Sequence, residues 1–275
     1  MQISTNVNAL TAASALNAAN LDAQRSIQKI STGQKVSNAA DDPAAIGPAT
    51  RLKVEIASRV KVSENINAGI GVLQIMDSAM NEIGNVLQSM RELAVSSASG
   101  STAATDRAAM DTGFDQYNAM INTIAGAAKY NGTSLLSATG SSVIIQSGIA
   151  ASETTTISSL DVTNAATGLA TTALGVDSVA NATAAITALD TAIGTLSGNR
   201  ASVGAQLTMF EAQANLNSSM STANTRTYGN LVNVDYASET ANLASAQIRQ
   251  NASAAMMAQA HTMSREMVAY LLKSF

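Results

Sequence analysis

A heptad repeat in the first third of the chain constrains the fold more than any other feature. From position 52 to position 94, twelve steps of 3.5 residues on average connect apolar residues, with one polar residue, Ser63, on the line. This spacing keeps one helix face against a partner over many turns. At ~1.5 Å per residue the stretch is about 65 Å long, so it requires long helical partners. The apolar positions are Leu52, Ile56, Val60, Ile66, Ile70, Leu73, Met76, Met80, Ile83, Leu87, Met90 and Ala94.

The helical period returns between Ile186 and Phe210, which makes this later stretch the expected partner. Val143–Ile145 and Thr154–Ile157 are short β-like runs that predict one hairpin. We therefore predict a mainly α fold, a long antiparallel helical hairpin or coiled-coil bundle with one small β-hairpin insert. The residues predicted to form the core of this rod are Ile66, Ile70, Leu73, Ile83, Leu87, Ile193, Leu196, Val203 and Phe210.

The residues before the repeat predict where helices begin, end or are interrupted. A helix with a thin apolar stripe runs from Ile3 to Ile30 and is expected to end at Gly33. Asp41-Asp42-Pro43 is typical of a helix start. Because Pro48 removes a helical hydrogen bond, we expect a kink or irregular turn at Gly47-Pro48 and a regular helix from about Thr50.

A shorter helix is expected from Asp106, after a Ser-rich loop at 96–104, and Tyr130-Asn131-Gly132-Thr133 predicts a turn. The apolar stripe of that shorter helix is Met110, Phe114, Tyr117, Ile121 and Ile124.

Both ends of the chain are predicted to be weakly stable helices that lie side by side. They are rich in alanine, so each buries little area, and isolated helices of this kind fray. We expect them to become ordered mainly when other copies of the chain surround them. The residues predicted to pack between subunits are Ile3, Val7, Leu10, Ile248, Met256, Met263, Met267 and Leu271.

Composition excludes several classes of function. The net charge of −4 argues against nucleic-acid binding, and the chain has no cysteine and no apolar run of membrane-spanning length. The first 21 residues contain no Lys or Arg, which is unlike a Sec signal peptide. A Ser-His-Asp site would have to use the one histidine, His261, which lies on an Ala/Met helix. We predict no enzymatic activity, cofactor, metal site or membrane insertion.

Several motifs, in order along the chain, together resemble those of the bacterial flagellin family. The N-terminal ones are Ile3-Ser4-Thr5-Asn6-Val7-Asn8-Ala9-Leu10, Ile30-Ser31-Thr32-Gly33, Asp41-Asp42, the run from Leu87 to Val95, and Tyr130-Asn131-Gly132. The C-terminal ones are Ala188-Leu189-Asp190, Arg200-Ala201-Ser202-Val203-Gly204-Ala205, Val234-Asp235-Tyr236-Ala237, and Leu243 to Ile248 with Met257-Ala258-Gln259-Ala260.

The resemblance implies a subunit of the extracellular flagellar filament, exported by the flagellar type III apparatus and active in swimming motility. It implies that 1–42 and 232–275 form paired terminal helices in the inner filament core. The long helical rod would comprise 43–135 and 182–231. A short β-hairpin and connector at 136–181 would stand in place of the variable outer domain. The implied partners are other copies of the chain, an export chaperone, and cap and junction proteins.

One departure from the family concerns recognition by an innate immune receptor. Many flagellins carry a Gln-Arg-x-Arg-Glu-Leu run and a Glu on the following short helix. This chain has Ser89 at the first Arg position and Gly113 where the Glu aligns, so the resemblance implies weak or absent recognition. The residues of this degenerate motif are Gln88, Ser89, Arg91, Glu92, Leu93 and Gly113.

Two other functions fit part of the sequence. A hook–filament junction protein shares the segment from Thr32-Gly33 to Asp41-Asp42-Pro43, although the C-terminal Ala-Gln-Ile run favours flagellin. A chemoreceptor-like signalling hairpin is also long and rich in Ala and Ser, but it would need a transmembrane anchor.

Overall fold

The computed structural model describes residues 6–137, 140–165 and 168–273, and within them all side chains except those of 267 and 271–273. The described residues form five helices and two antiparallel hairpins, which confirms the mainly α prediction. The helices are α1 (Val7–Thr32), α2 (Pro43–Ser97), α3 (Ala104–Ala127), α4 (Val179–Val232) and α5 (Tyr236–Lys273). The strands are β1 (Lys129–Tyr130), β2 (Thr133–Ser134), β3 (Val143–Gln146) and β4 (Thr154–Ile157).

The chain divides into two compact units. The terminal unit comprises Met1–Val54 and Ala223–Phe275, and the rod unit comprises Glu55–Thr222.

The helix α2 starts where Asp41-Asp42-Pro43 predicted, but its second turn differs from the prediction. Asp42 accepts hydrogen bonds from the backbone N–H groups of Ala44 and Ala45, at 2.9 and 3.0 Å, so α2 begins at Pro43. The expected irregular turn at Gly47-Pro48 is wrong, because Pro48 lies inside the helix. The helix tolerates it because the lost bond frees only the carbonyl of Ala44, an exposed residue that water can reach.

The rod unit is organised around a heptad seam on α2 that is nearly the predicted one. Its buried positions alternate in steps of four and three residues, as a two-helix seam requires. Val60 was predicted to lie on the seam but is exposed, and Val62 is buried instead. The buried positions are Val62, Ile66, Gly69, Leu73, Met76, Met80, Ile83, Leu87, Met90 and Ala94.

Gly69 explains why the seam passes through position 69 and not through the predicted Ile70. A Cβ at this position would lie 2.8 Å from Cε1 of Phe210 on α4 and 3.3 Å from Cγ1 of Ile145 on β3. The seam position is therefore occupied by glycine because the fully buried Phe210 ring fills the space. The apolar spacing predicted Ile70 at this place, but Ile70 is half-buried beside the seam.

Polar pairs fix the antiparallel register of α2 and α4. Arg91 on α2 pairs with Asp190 on α4, with Nε and Oδ1 2.6 Å apart. Arg200 on α4 pairs in the opposite sense with Asp77 on α2, at 3.0 Å. Farther along, the Asn217 side chain donates to the backbone carbonyl of Arg59 at 2.9 Å.

The β3–β4 hairpin confirms the predicted insert. Val143 pairs with Ile157 and Gln146 with Thr154, and Asn65 of α2 donates to the carbonyl of Gln146 at 3.3 Å.

A second, smaller hairpin, β1–β2, surrounds the predicted Asn-Gly turn. Asn131 and Gly132 have φ angles of 48° and 80°, the positive values that a tight hairpin of this kind needs.

Described residues on both sides of positions 166–167, in the connector between β4 and α4, are packed into the rod core. Val162 and Val176 are fully buried in the rod core. The backbone N–H of Val162 donates to Leu136, and that of Val176 donates to the Asp111 carboxylate at 2.6 Å.

Candidate assembly surface

The candidate site is the pair of helices α1 and α5 in the terminal unit. They pack side by side, as predicted. Asn6 Nδ2 donates to the carbonyl of Ala260 at 2.9 Å, and Gln250 Nε2 donates to Asn20 Oδ1 at 2.6 Å. Asp22 and Arg249 form an exposed ion pair at 3.2 Å. Since the partner numbers fall on α5 as they rise on α1, the pair is antiparallel.

The seam of this pair has heptad spacing but consists mostly of small residues. Its buried and half-buried positions on α1 are Ala9, Ala12, Leu16, Ala19, Ala23, Ser26 and Ile30. Those on α5 are Glu239, Leu243, Ala246, Gln250, Ser253, Met257, Ala260 and Ser264. Large apolar residues alone do not reveal this seam, although the heptad spacing of its Ala and Ser residues is present in the sequence.

The base of the pair is held by the backbone. The helix α1 ends at Gly33, whose φ of 71° is left-handed, as predicted for this glycine. The N–H of Val234 donates to the carbonyl of Gly33 at 3.0 Å, and the N–H of Lys35 donates to Val232 at 2.7 Å. Asp235 then caps α5 through a 3.0 Å bond from the N–H of Ala237.

A short turn in the same unit is stabilised by Asp41. Its carboxylate accepts hydrogen bonds from the backbone N–H groups of Asn38 and Ser37, at 2.9 and 3.0 Å. These bonds stabilise the charged form, so they hold the pKa of Asp41 below its ordinary value.

Several large apolar residues of α1 and α5 lie outside this seam and are exposed to solvent. Leu10 is 66% exposed and Ile248 is 68% exposed, while Met256 and Met263 are 57% and 53% exposed. Val7 is also exposed. An ordinary amphipathic helix has the opposite arrangement, with its large residues inside. The single chain therefore leaves exposed the five residues predicted to pack between subunits whose side chains the structure describes.

Three of the predicted packing residues lie outside the described part of the structure. Ile3 falls before residue 6, and the side chains of Met267 and Leu271 are not described.

The predicted rod core is found in the rod unit. Seven of its nine residues are buried, and Ile70 and Ile193 are half-buried against the same core. The buried residues are Ile66, Leu73, Ile83, Leu87, Leu196, Val203 and Phe210.

The residues of the degenerate receptor motif lie at the end of α2 and on α3. A groove of about 550 Å³ brings Leu93 together with Gly113, whose Cβ would lie 3.6 Å from Leu93 Cδ2. Gln88 and Glu92 are exposed, and the half-buried Ser89 donates to the carbonyl of Asn85. The role of this motif in receptor recognition stays a prediction.

Arg91 of the motif is held by the ion pair with Asp190. Its hydrogen bond lowers the pKa of Asp190, and the same bond raises the pKa of Arg91.

The described residues show no group of three or more His, Asp or Glu side chains that could hold a metal ion. His261 is exposed on α5. No helix in the described ranges is long and apolar enough to cross a bilayer.

Comparison with known families now decides the assignment. Residues 3–141 match the bacterial flagellin N-terminal helical region, and residues 186–271 match the bacterial flagellin C-terminal helical region. The chain belongs to the bacterial flagellin family. The flagellin match therefore covers α1, α2, α3 and nearly all of α4 and α5.

Individual flagellins are similar over part of this length. Flagellin C of Vibrio anguillarum is 37% identical over 139 residues, which cover 50% of this chain and 37% of that protein. Flagellin B of Vibrio cholerae serotype O1 is 34% identical over 158 residues, or 58% of this chain and 42% of that protein. The chain thus spans less than half the length of these curated relatives.

Two solved structures share the fold. The crystal structure of Bacillus cereus flagellin matches with a TM-score of 0.51 and 33% identity, covering 56% of this chain and 88% of that one. A protein assigned to the flagellar hook-associated class, from Vibrio parahaemolyticus, matches with a TM-score of 0.59. It is 17% identical and covers 70% of this chain and 100% of that one, so this second likeness concerns the fold alone.

Proposed function

We propose that this chain is a structural subunit of the flagellar filament, whose copies assemble head-to-tail into a helical tube outside the cell. The observation that carries the proposal is the terminal pair, which buries small residues internally and presents Leu10, Ile248, Met256 and Met263 to solvent. Apolar patches of this kind mark interaction surfaces. A contact between two different faces of identical chains does not close, so it produces a filament.

We assign parts of the filament subunit to residue ranges as the family resemblance implies. Residues 1–42 and 232–275 would form the inner core of the filament, and 43–135 with 182–231 would form the surrounding rod. Residues 136–181 would stand in place of a larger outer domain. An export chaperone, cap proteins and junction proteins are the further proposed partners, and the proposed role involves no catalysis.

Membership of the flagellin family supports this proposal. A hook–filament junction protein is the alternative, and it has less support because the hook-associated neighbour is only 17% identical. The two functions differ in growth, since a filament subunit elongates without limit whereas a junction protein stops after a short assembly.

Electron microscopy of the purified full chain, seeded with sheared filaments of the same protein, tests the proposal. We expect long helical tubes from the unmodified chain. Ile248→Asp should stop elongation, because it places a charge on a face that becomes buried. Ile144→Asp on β3 is the matched control, since Ile144 is 66% exposed and receives the same change in the rod unit.

Three results would contradict the proposal. A chain that stays monomeric with seeds, and whose terminal amides are protected from hydrogen exchange in dilute solution, is not such a subunit. Growth that stops after a short assembly would favour the junction protein. Equal loss of elongation in both variants would remove the special role of the terminal helices.

A further inference from the structure

The described methionines of this chain differ widely in exposure. Met76, Met80 and Met90 are buried in the rod seam, whereas Met256 and Met263 on α5 are more than half exposed. The chain has 12 methionines and no cysteine. All of its sulfur is therefore in methionine, and the fold shields only some of the described methionine side chains from solvent.

We propose that Met256 and Met263 are oxidation sites through which peroxide prevents the free subunit from assembling. This inference rests on the proposed self-assembly and adds a chemical modification that regulates it. In the step itself, the thioether sulfur attacks one peroxide oxygen, the O–O bond breaks and an S–O bond forms. The sulfur is oxidised by two electrons to the sulfoxide, and the peroxide is reduced to water.

The position of the two methionines gives the modification its effect. Met256 and Met263 are separated by seven residues, close to two helical turns, so they share one stripe of α5, and Ile248 lies about 60–80° around the helix from them, on the same broad face. A sulfoxide converts a flexible apolar side chain into a polar one. Its oxygen would lose its water on contact with another copy, which weakens the contact unless a donor replaces that water.

The intramolecular seam is not the target of the reaction. Met256 and Met263 both lie beside the seam, whose nearest positions are Ser253, Met257, Ala260 and Ser264. Oxidation should therefore leave the fold of the single chain intact and act on association. The rod unit contains a comparison set of similarly exposed methionines, Met120, Met209 and Met220, which lie outside the terminal pair.

The test compares three forms of the full chain before and after treatment with hydrogen peroxide. They are the unmodified chain, the double variant Met256→Leu with Met263→Leu, and a matched control with Met120, Met209 and Met220 each changed to Leu. Leucine keeps the apolar character and has no sulfur to oxidise. Peptide mass spectrometry measures sulfoxide at each methionine, and pelleting measures the critical concentration for seeded growth.

We expect oxidation to raise the critical concentration of the unmodified chain and of the rod control about tenfold or more. The Met256/Met263 variant should assemble almost unchanged after the same treatment. Incubation with both methionine sulfoxide reductases and dithiothreitol should restore assembly of the oxidised chain, because these enzymes reverse the sulfoxide.

A second measurement does not depend on any variant. In assembled filaments Met256 and Met263 should react with peroxide about tenfold more slowly than in free subunits, since the contact covers them. The inference is overturned by an unchanged critical concentration after full oxidation, by a double variant that remains sensitive, or by equal reaction rates in filament and subunit. If the untreated chain does not assemble, the proposed function itself has failed.

Discussion

The terminal unit and the rod unit use the same helical geometry with different side chains. Each contains an antiparallel pair of helices with heptad spacing, α1 with α5 in one unit and α2 with α4 in the other. The rod seam is filled by Ile, Leu, Met and Phe, whereas the terminal seam is filled mainly by Ala and Ser. The repeat determines that helices pair, and residue size determines whether the pair is stable by itself.

The energetic difference is large. Burial stabilises by about 0.8 kcal/mol per CH₂ group, so an alanine contributes far less than a buried Leu or Phe. Both units lose about 1–2 kcal/mol of backbone entropy for each residue that becomes ordered. The rod unit can offset this cost from its own core. In the terminal unit several of the larger apolar residues, among them Leu10 and Ile248, stay exposed and contribute little to the stability of the single chain.

The largest expected effect contrasts one residue from each unit. Phe210→Ala should destabilise the free subunit by about 3–5 kcal/mol, because it leaves a cavity in the rod core. Leu10→Ala should change monomer stability by less than about 0.5 kcal/mol, since Leu10 is mostly exposed. Urea unfolding of the monomer, followed by circular dichroism, measures both values.

Leu10→Ala should nevertheless weaken seeded assembly. A Leu10 variant whose monomer is destabilised as strongly as the Phe210 variant would mean that the terminal helices are stable without other copies. The contrast between the two units would then be lost.

The next effect concerns close packing along α2. Gly69→Ala should destabilise by about 1–3 kcal/mol, because its Cβ would lie 2.8 Å from the buried Phe210 ring. This cost exceeds the gain of about 1 kcal/mol that alanine brings to a helix interior. Gly71→Ala is the matched control. It has no neighbour within 4 Å of the new Cβ, so it should stabilise by about 0.5–1 kcal/mol.

Urea midpoints of the two glycine variants test this pair directly. Equal stabilisation of both would show that Phe210 can move away from Gly69, and the rod core would then be less tightly packed than the distances indicate.

The smallest effect is the pH dependence of the Arg91–Asp190 pair. Since the Arg91 hydrogen bond lowers the pKa of Asp190 in the folded state, the pair stabilises the rod at neutral pH. This contribution is present above the unfolded pKa of about 3.9 and is lost as the pH falls through the lower, folded value. Asp190→Asn should therefore lower the urea midpoint slightly at pH 7 and have no effect at pH 2.

Asp115→Asn, at an exposed carboxylate on α3, is the comparison variant for this pH experiment. A difference between the Asp190 variant and the unmodified chain that persists at pH 2 would mean that the pair does not cause it.

Most of the rod could be predicted from the sequence because the heptad spacing of its seam is visible in the positions of large apolar residues. Phe210, Leu73 and Ile83 are buried as expected. One wrongly predicted position lies where the seam is occupied by a glycine and not by a large apolar residue. Glycine at 69 cannot be recognised as a seam position without knowing that Phe210 lies opposite, since that contact joins residues 141 positions apart.

The terminal pair was predictable in outline but not in detail. The sequence predicted two weakly stable helices that lie side by side. It also predicted Leu10, Ile248, Met256 and Met263 as packing residues, and these are exposed in the single chain. It did not indicate which face would be internal, because Ala9, Ala19 and Ala246 look the same as the many other alanines. Only the position of the partner helix distinguishes a buried alanine from an exposed one.

The backbone pairing of Gly33 and Lys35 with Val234 and Val232 has a further consequence. Main-chain hydrogen bonds at the root of α1 and α5 set the relative position of the two helices at that end, whatever side chains these four residues carry. Substitutions at these valines and at Lys35 should therefore preserve the root, provided that the chain keeps the tight bend at Gly33. Substitution of this glycine by a β-branched residue would misplace an entire helix rather than disturb one contact.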